Sequence, residues 1–180
     1  MLTDPQLNAL IQAGQLVPWV PPPGVVVPAV RHLLLTPLVN VELNRNPWKP
    51  VPGETQREAT ARRRQMLGLL SRYLKGDQLL PKIHAKVLEP TKSAFKDLLE
   101  FRSGPPDPQT RLFCYVYVPG IWIGSGFHMR DELGDKGDPR WEVAANQSLA
   151  VWNQLFPGRL PTSAPYPCDT RSKLKALLDG

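Results

Sequence analysis

Cysteine and histidine are scarce in this chain, with two and three residues among 180. Two cysteines cannot build a disulfide framework, and three scattered histidines without Cys/His spacing point away from a metal centre. Nor is there a cofactor loop. Gly124-Ser125-Gly126 is no phosphate cradle, because glycine inside a strand more often lets another backbone approach closely. The amino terminus, Met1–Gln6, lacks the basic start of a signal peptide. The most apolar stretch, Leu16–Val30, is interrupted by five prolines and falls short of a membrane span. These absences predict a cytoplasmic protein without cofactor, metal or membrane partner.

Proline and positive charge are in excess instead. The 21 prolines gather near residues 18–28, 47–52, 105–108 and 157–167, so they punctuate the chain rather than fill it. Formal net charge is +6. Residues 45–86 hold ten Lys/Arg against three Asp/Glu, and essentially all the excess lies there. Such a segment suits a polyanion, a ribosome surface or an acidic partner; its plainer reading is a solvated helix face. Hydrophobic content of 42% supports one domain with a real core.

Periodicity supplies the elements. Residues 4–15 predict a short helix with Asp4 as N-cap and Pro5 at its first position. Residues 18–28 predict an extended arm. Leu38–Asn44 alternates like a strand, and Glu54–Lys75 predicts a long helix stopped by Gly76. A second helix opens at Asp138-Pro139 and runs to about Phe156, with Trp141, Ala145, Leu149, Trp152 and Phe156 on a core stripe. A last helical turn follows Asp169. The organisation expected is a proline-rich arm at 1–36, a domain at 37–158 and a tail at 159–180. Both arms are expected to add little to the core, since prolines remove backbone donors.

Three strands between them carry the functional signal: Phe95–Arg102, Arg111–Val118 and Ile121–His128. Pro119-Gly120 predicts a two-residue turn that sets Val118 opposite Ile121 and Arg111 opposite His128. With Arg102 opposite Arg111, one face collects Phe95, Leu99, Phe101, Leu112, Cys114, Val116, Ile123 and Phe127. The other collects Glu100, Arg102, Arg111, Phe113, Tyr115, Tyr117, Trp122 and His128. A one-residue slip would bury charges, so this register is favoured. The second face thus carries Arg102, Arg111 and His128 in a row beside Glu100. Tyr115, Tyr117 and Trp122 fit two roles, stacking unpaired bases or packing beneath an arm.

Four short motifs in this order resemble the RelE/HigB-like toxins of bacterial toxin–antitoxin systems and phage. They are Leu98-Leu99-Glu100-Phe101-Arg102, Thr110-Arg111-Leu112-Phe113-Cys114-Tyr115, Gly126-Phe127-His128-Met129-Arg130 and Pro139-Arg140-Trp141-Glu142-Val143-Ala144-Ala145. The resemblance covers about residues 38–156. Met129 and Arg130 stand where the family shows two lysines, and one helix is evident where it often shows a hairpin of two. The fold implied is α+β: a small twisted antiparallel sheet, a three-strand meander plus an N-terminal strand, packed on helices.

The activity the resemblance implies is metal-independent cleavage of messenger RNA on the ribosome, held in check by an antitoxin protein. The attacking group is the RNA's own 2′-hydroxyl. Arg102, Arg111 and Arg130 would stabilise the developing charge, and Glu100 or His128 would act as base. Arg63, Arg64, Lys82 and Lys86 from the basic segment would hold RNA, with Tyr115, Tyr117 and Trp122 stacking on bases. Two other functions compete. One is a ParE-like topoisomerase poison on the same fold. The other is a non-enzymatic phage or structural interaction protein that self-assembles through its terminal arms.

Overall fold

A computed structural model describes residues 4–22, 29–89, 95–104 and 109–179. The extended arm expected at 18–28 lies mostly outside them. The chain is an α+β fold, and its sheet is six-stranded and mixed rather than the four-stranded antiparallel one expected. The strands are β1 (Val17–Pro18), β2 (His32–Leu35), β3 (Ala85–Val87), β4 (Leu99–Arg102), β5 (Thr110–Val118) and β6 (Ile121–Met129), in the order β1-β2-β6-β5-β4-β3. β2 runs parallel to β6; every other neighbour is antiparallel.

Among the described residues there are six helices: α1 (Pro5–Gln12), α2 (Pro37–Asn44), α3 (Gln56–Lys75), α4 (Arg130–Leu133), α5 (Pro139–Leu155) and α6 (Arg171–Asp179). The long helices sit where periodicity puts them. α3 opens on a capping box, with the Thr55 hydroxyl accepting from the Glu58 N–H while the Glu58 carboxylate accepts from the Thr55 N–H. Asp138 caps α5, and Asp4 caps α1 through the N–H groups of Gln6 and Leu7.

The expected strand at Leu38–Asn44 is a helix, α2. Pro37 presets its first turn, and Val39 and Leu43, one helical turn apart, are the residues it buries. Leu38 and Val41 are left outside. Over so few residues, alternation and helical spacing coincide at these two positions. The strand that joins the meander is β2 instead. Phe95–Leu98 is a turn rather than the start of β4, with Asp97 left-handed at φ 60°.

Both faces of the sheet are covered. On one, Leu99, Phe101, Leu112, Cys114 and Val116 meet Met66, Leu70 and Tyr73 of α3, together with Val39, Leu43, Leu174 and Leu177. On the other, Phe113, Tyr115 and Tyr117 meet Ala145 and Trp152 of α5, with Phe156, Leu7 and Leu16. The face expected to bind is therefore mostly a second core. Tyr115, Tyr117 and Trp122 are at most 1% exposed, which removes them as base-stacking platforms.

Strand pairing explains why Trp122 and Ile123 exchange faces relative to expectation. Val118 does face Ile121, Arg111 faces His128 and Arg102 faces Arg111. Between the ends, Tyr117 of β5 and Ser125 of β6 are each skipped, so the middle pairs shift by one residue. Trp122 then stands opposite Val116 and joins the α3 core; Ile123 stands opposite Tyr115 and joins the α5 core. Gly124 lies at the shifted pairs, where a Cβ would fall 2.5 Å from Leu35 of the parallel neighbour β2.

The arms are structural, against expectation. Leu7, Leu16 and Trp19 before β2, and Cys168, Leu174, Leu177 and Leu178 after α5, are all buried. Tyr117 fastens both ends: its hydroxyl meets Asp4 at 2.8 Å, and Arg159 donates to that hydroxyl at 2.5 Å. Arg31 does the same for α6, bonding Asp179 at 2.6 Å and the carbonyls of Tyr73, Gly76 and Asp77 at the end of α3.

Leu7→Ala should therefore cost about 2–5 kcal/mol in denaturant unfolding, as for a fully buried leucine. Gly68, exposed in the middle of α3 with open space around it, predicts the opposite sign. Gly68→Ala should stabilise the fold by roughly 0.8–1 kcal/mol, read as a rise of a few degrees in Tm.

Candidate active site

Glu100 anchors the polar cluster. It lies on β4 between Lys86 of β3 and Phe113 of β5, so its side chain projects to the α5 face. That position is 2% exposed. A carboxylate there requires cations, because an isolated buried charge is far too costly. Arg111 meets it with Nε 3.0 Å from Oε2, and Arg102 approaches Oε1 at 3.5 Å. Arg111 is itself buried and further fixed, donating to the carbonyl of Thr110 at 3.0 Å and to Gln109 Oε1 at 2.7 Å. Arg102 is partly exposed and donates to the carbonyl of Lys82, a left-handed residue at φ 65°.

These groups floor a cavity of about 550 Å³, within the range of small-ligand sites. Lys86, Arg102, Arg111 and Arg130 line it around Glu100. Its walls are Leu88 and Phe95 on one side and Gly137, Asp138, Trp141 and Glu142, at the start of α5, on the other. Arg130 sits over Trp141 at 5.4 Å from the ring centroid and donates to the Gly134 carbonyl. Trp141 donates from Nε1 to the same carbonyl at 3.2 Å and stacks on Phe113 at 6.0 Å. At the exposed mouth Lys136 pairs with Glu89 at 3.2 Å. Asp138 is committed elsewhere, capping α5 and pairing with Arg140, whose guanidinium holds that carboxyl down to about 2.

Burial and charge oppose one another at Glu100. Desolvation pushes its carboxyl above the ordinary value; Arg111, Arg102, Lys86 and Arg130 pull it down, and burial prevails. A carboxyl held among four cations, with a pKa raised by burial and a pocket beside it, has the features of a group that accepts a proton from a bound hydroxyl. The surrounding guanidinium groups are equipped to hold an anion.

The remaining expected site residues are dispersed. His128 faces Arg111 in the strand register but does not line the cavity; its ring packs on Phe113 at 5.1 Å, and burial lowers its pKa. Arg63 and Arg64 stand on α3, across the sheet from the cavity, and Arg63 donates to the Arg45 carbonyl at 3.0 Å. Lys82 is exposed near the rim and contributes its carbonyl to Arg102. Sequence reasoning missed Phe95, Trp141, Lys136 and Glu142 as cavity residues. Trp141 had a signal in its place at the first turn of α5, just after the Arg130–Gly134 segment. Phe95 had none, since the turn at Asp97 redirects it. No group of three His, Cys, Asp or Glu side chains among the described residues is placed to hold a metal ion.

Arg111 is 2% exposed and paired with Glu100, so Arg111→Ala strands a buried carboxylate. The expected loss is about 3–5 kcal/mol of folding stability at neutral pH. The loss should shrink as pH falls through the raised Glu100 pKa, because the protonated carboxyl needs no counter-charge. Denaturant unfolding of the variant at neutral and acid pH checks both. The chain matches no protein-family model, no curated protein and no solved structure.

Proposed function

We propose that the chain is a metal-independent endoribonuclease of the RelE/HigB-like toxin type, acting on messenger RNA at the ribosome. The observation that carries this reading is the cavity itself. It joins Glu100, Arg102, Arg111 and Arg130, four residues of the motifs that resemble that family, with Lys86. The element order supports it as well. Strand β2, helices α2 and α3, strand β3, the meander β4-β5-β6, the short helix α4 and helix α5 follow one another, and α2 with α3 gives two helices where sequence reading finds one.

The chemistry follows from the side chains. The ionised Glu100 carboxylate takes the proton of the RNA 2′-hydroxyl as the 2′-oxygen bonds to phosphorus. The phosphorus–5′-oxygen bond breaks, and water at the cavity mouth donates the proton that the leaving 5′-oxygen takes up. Negative charge grows on the phosphate oxygens, and Arg102, Arg130, Lys86 and Arg111 stabilise it from fixed positions. Trp141 and Phe95 offer the apolar walls against which an unpaired base rests. Tyr115, Tyr117 and Trp122 take no part. An antitoxin would silence such an enzyme by covering the cavity mouth. The competing reading of an interaction protein with free arms loses its main support, since the described parts of both arms pack on the sheet.

Glu100→Gln should abolish cleavage while keeping the side chain's shape, and Arg102→Ala should lower the rate by about 10²-fold or more, as for loss of a transition-state donor. Cleavage by the wild type should rise with pH through a limb above the ordinary carboxylate range, since only ionised Glu100 accepts the proton. Induction in bacteria gives the direct comparison. The wild type should arrest growth and the Glu100→Gln variant should not. Harmless expression of the wild type, with messenger RNA intact, would overturn the reading.

A further inference from the structure

The excess positive charge of the chain has a place in the fold that the cavity does not use. Of the ten cations in residues 45–86, Arg62 is neutralised by Glu54 at 2.7 Å beneath Trp48, and Lys82 and Lys86 lie near the cavity. The rest surround α3. Residues 57, 61, 64, 68, 72 and 75 recur at three- and four-residue steps, so they form one stripe along this helix, and all six are exposed. The stripe reads Arg57, Ala61, Arg64, Gly68, Arg72, Lys75 and spans about 27 Å. It contains no acidic and no aromatic side chain.

Gly68 is the second observation. Glycine inside a helix is destabilising relative to alanine. Here a Cβ would meet nothing within 4 Å. The helix surface at Gly68 is therefore open to a close approach from outside. Between Arg64 and Arg72, one turn to either side, it lets another backbone come close while the arginines flank the contact.

We infer that the outward face of α3 is a docking surface for an acidic helix of a protein partner. Three features favour a helix over a nucleic acid. Arg57, Arg64 and Arg72 are spaced seven and eight residues apart, the two-turn repeat that a packed helix matches with carboxylates. Ala61 and Gly68, also seven apart, allow close interaxial approach. The stripe offers no ring on which a base would stack. This surface lies across the sheet from the cavity, so it stands whether or not the cavity cleaves RNA.

The test uses the full chain and two probes. One is a synthetic helical peptide with glutamate at seven-residue spacing and alanine between; the other is a single-stranded RNA of equal charge. Amide shifts in ¹⁵N spectra should move along residues 57–75 with the peptide, and affinity should fall at least tenfold in Gly68→Leu. That variant keeps every charge and fills only open space, so its own unfolding curve verifies the fold. Arg64→Glu with Arg72→Glu should abolish peptide binding. Equal binding of the peptide by wild type and Gly68→Leu would overturn the inference, as would RNA binding on this stripe more tightly than the peptide.

Discussion

A carboxylate buried on strand β4 of a sheet covered on both faces sets the terms for this molecule. Glu100 is 2% exposed, so little solvent reaches its charge, and it meets the outside through the cavity. Its charge must be matched from within. Arg111 on the neighbouring strand matches it directly, and the pairing of Arg102 with Arg111 and of Lys86 with Glu100 brings two further cations to the same face. The register of three strands is thereby fixed by electrostatics as well as by apolar burial. The same constraint underlies the chemistry we propose, in which a desolvated carboxyl ringed by cations serves as base and as part of an anion site.

The sheet has to serve this cluster and two cores at once. It does so by breaking regularity. The skipped residues Tyr117 and Ser125 let the middle of the β5–β6 ladder turn Trp122 to the α3 side and Ile123 to the α5 side, while the ladder's far end keeps Arg111 level with His128. Arg111 and Glu100 then sit where the second core gives way to the cavity. The termini close that core. With Asp4, Tyr117 and Arg159 in one contact, α1 and the segment after α5 hold one another against the end of β5.

Local signals in the sequence are strong for α3, α5 and the meander, because capping residues, helical spacing and a two-residue turn each act within a few positions. The meeting of Glu100, Arg102 and Arg111 follows from strand alternation alone and is legible for that reason. Legibility ends where distant segments decide the outcome. Leu38–Asn44 pairs its apolar residues equally well as strand or helix, and only the place of β2 beside β6 settles it. The second face of the meander looks like a binding surface until α5, α1 and Phe156 are laid on it. Cavity walls such as Phe95 and Glu142 come together through a turn and a docking angle that no short pattern encodes.

The central claim is that the Glu100 cavity cleaves RNA with the RNA's own hydroxyl. Its most direct measurement is the fate of a defined message on purified ribosomes, with a chelator present and one position carrying a 2′-deoxy sugar. Cleavage at ribose positions, ending in 2′,3′-cyclic phosphate and absent at the deoxy position, is the result predicted. Uncut message, or cleavage that proceeds through the deoxy position, would contradict the account.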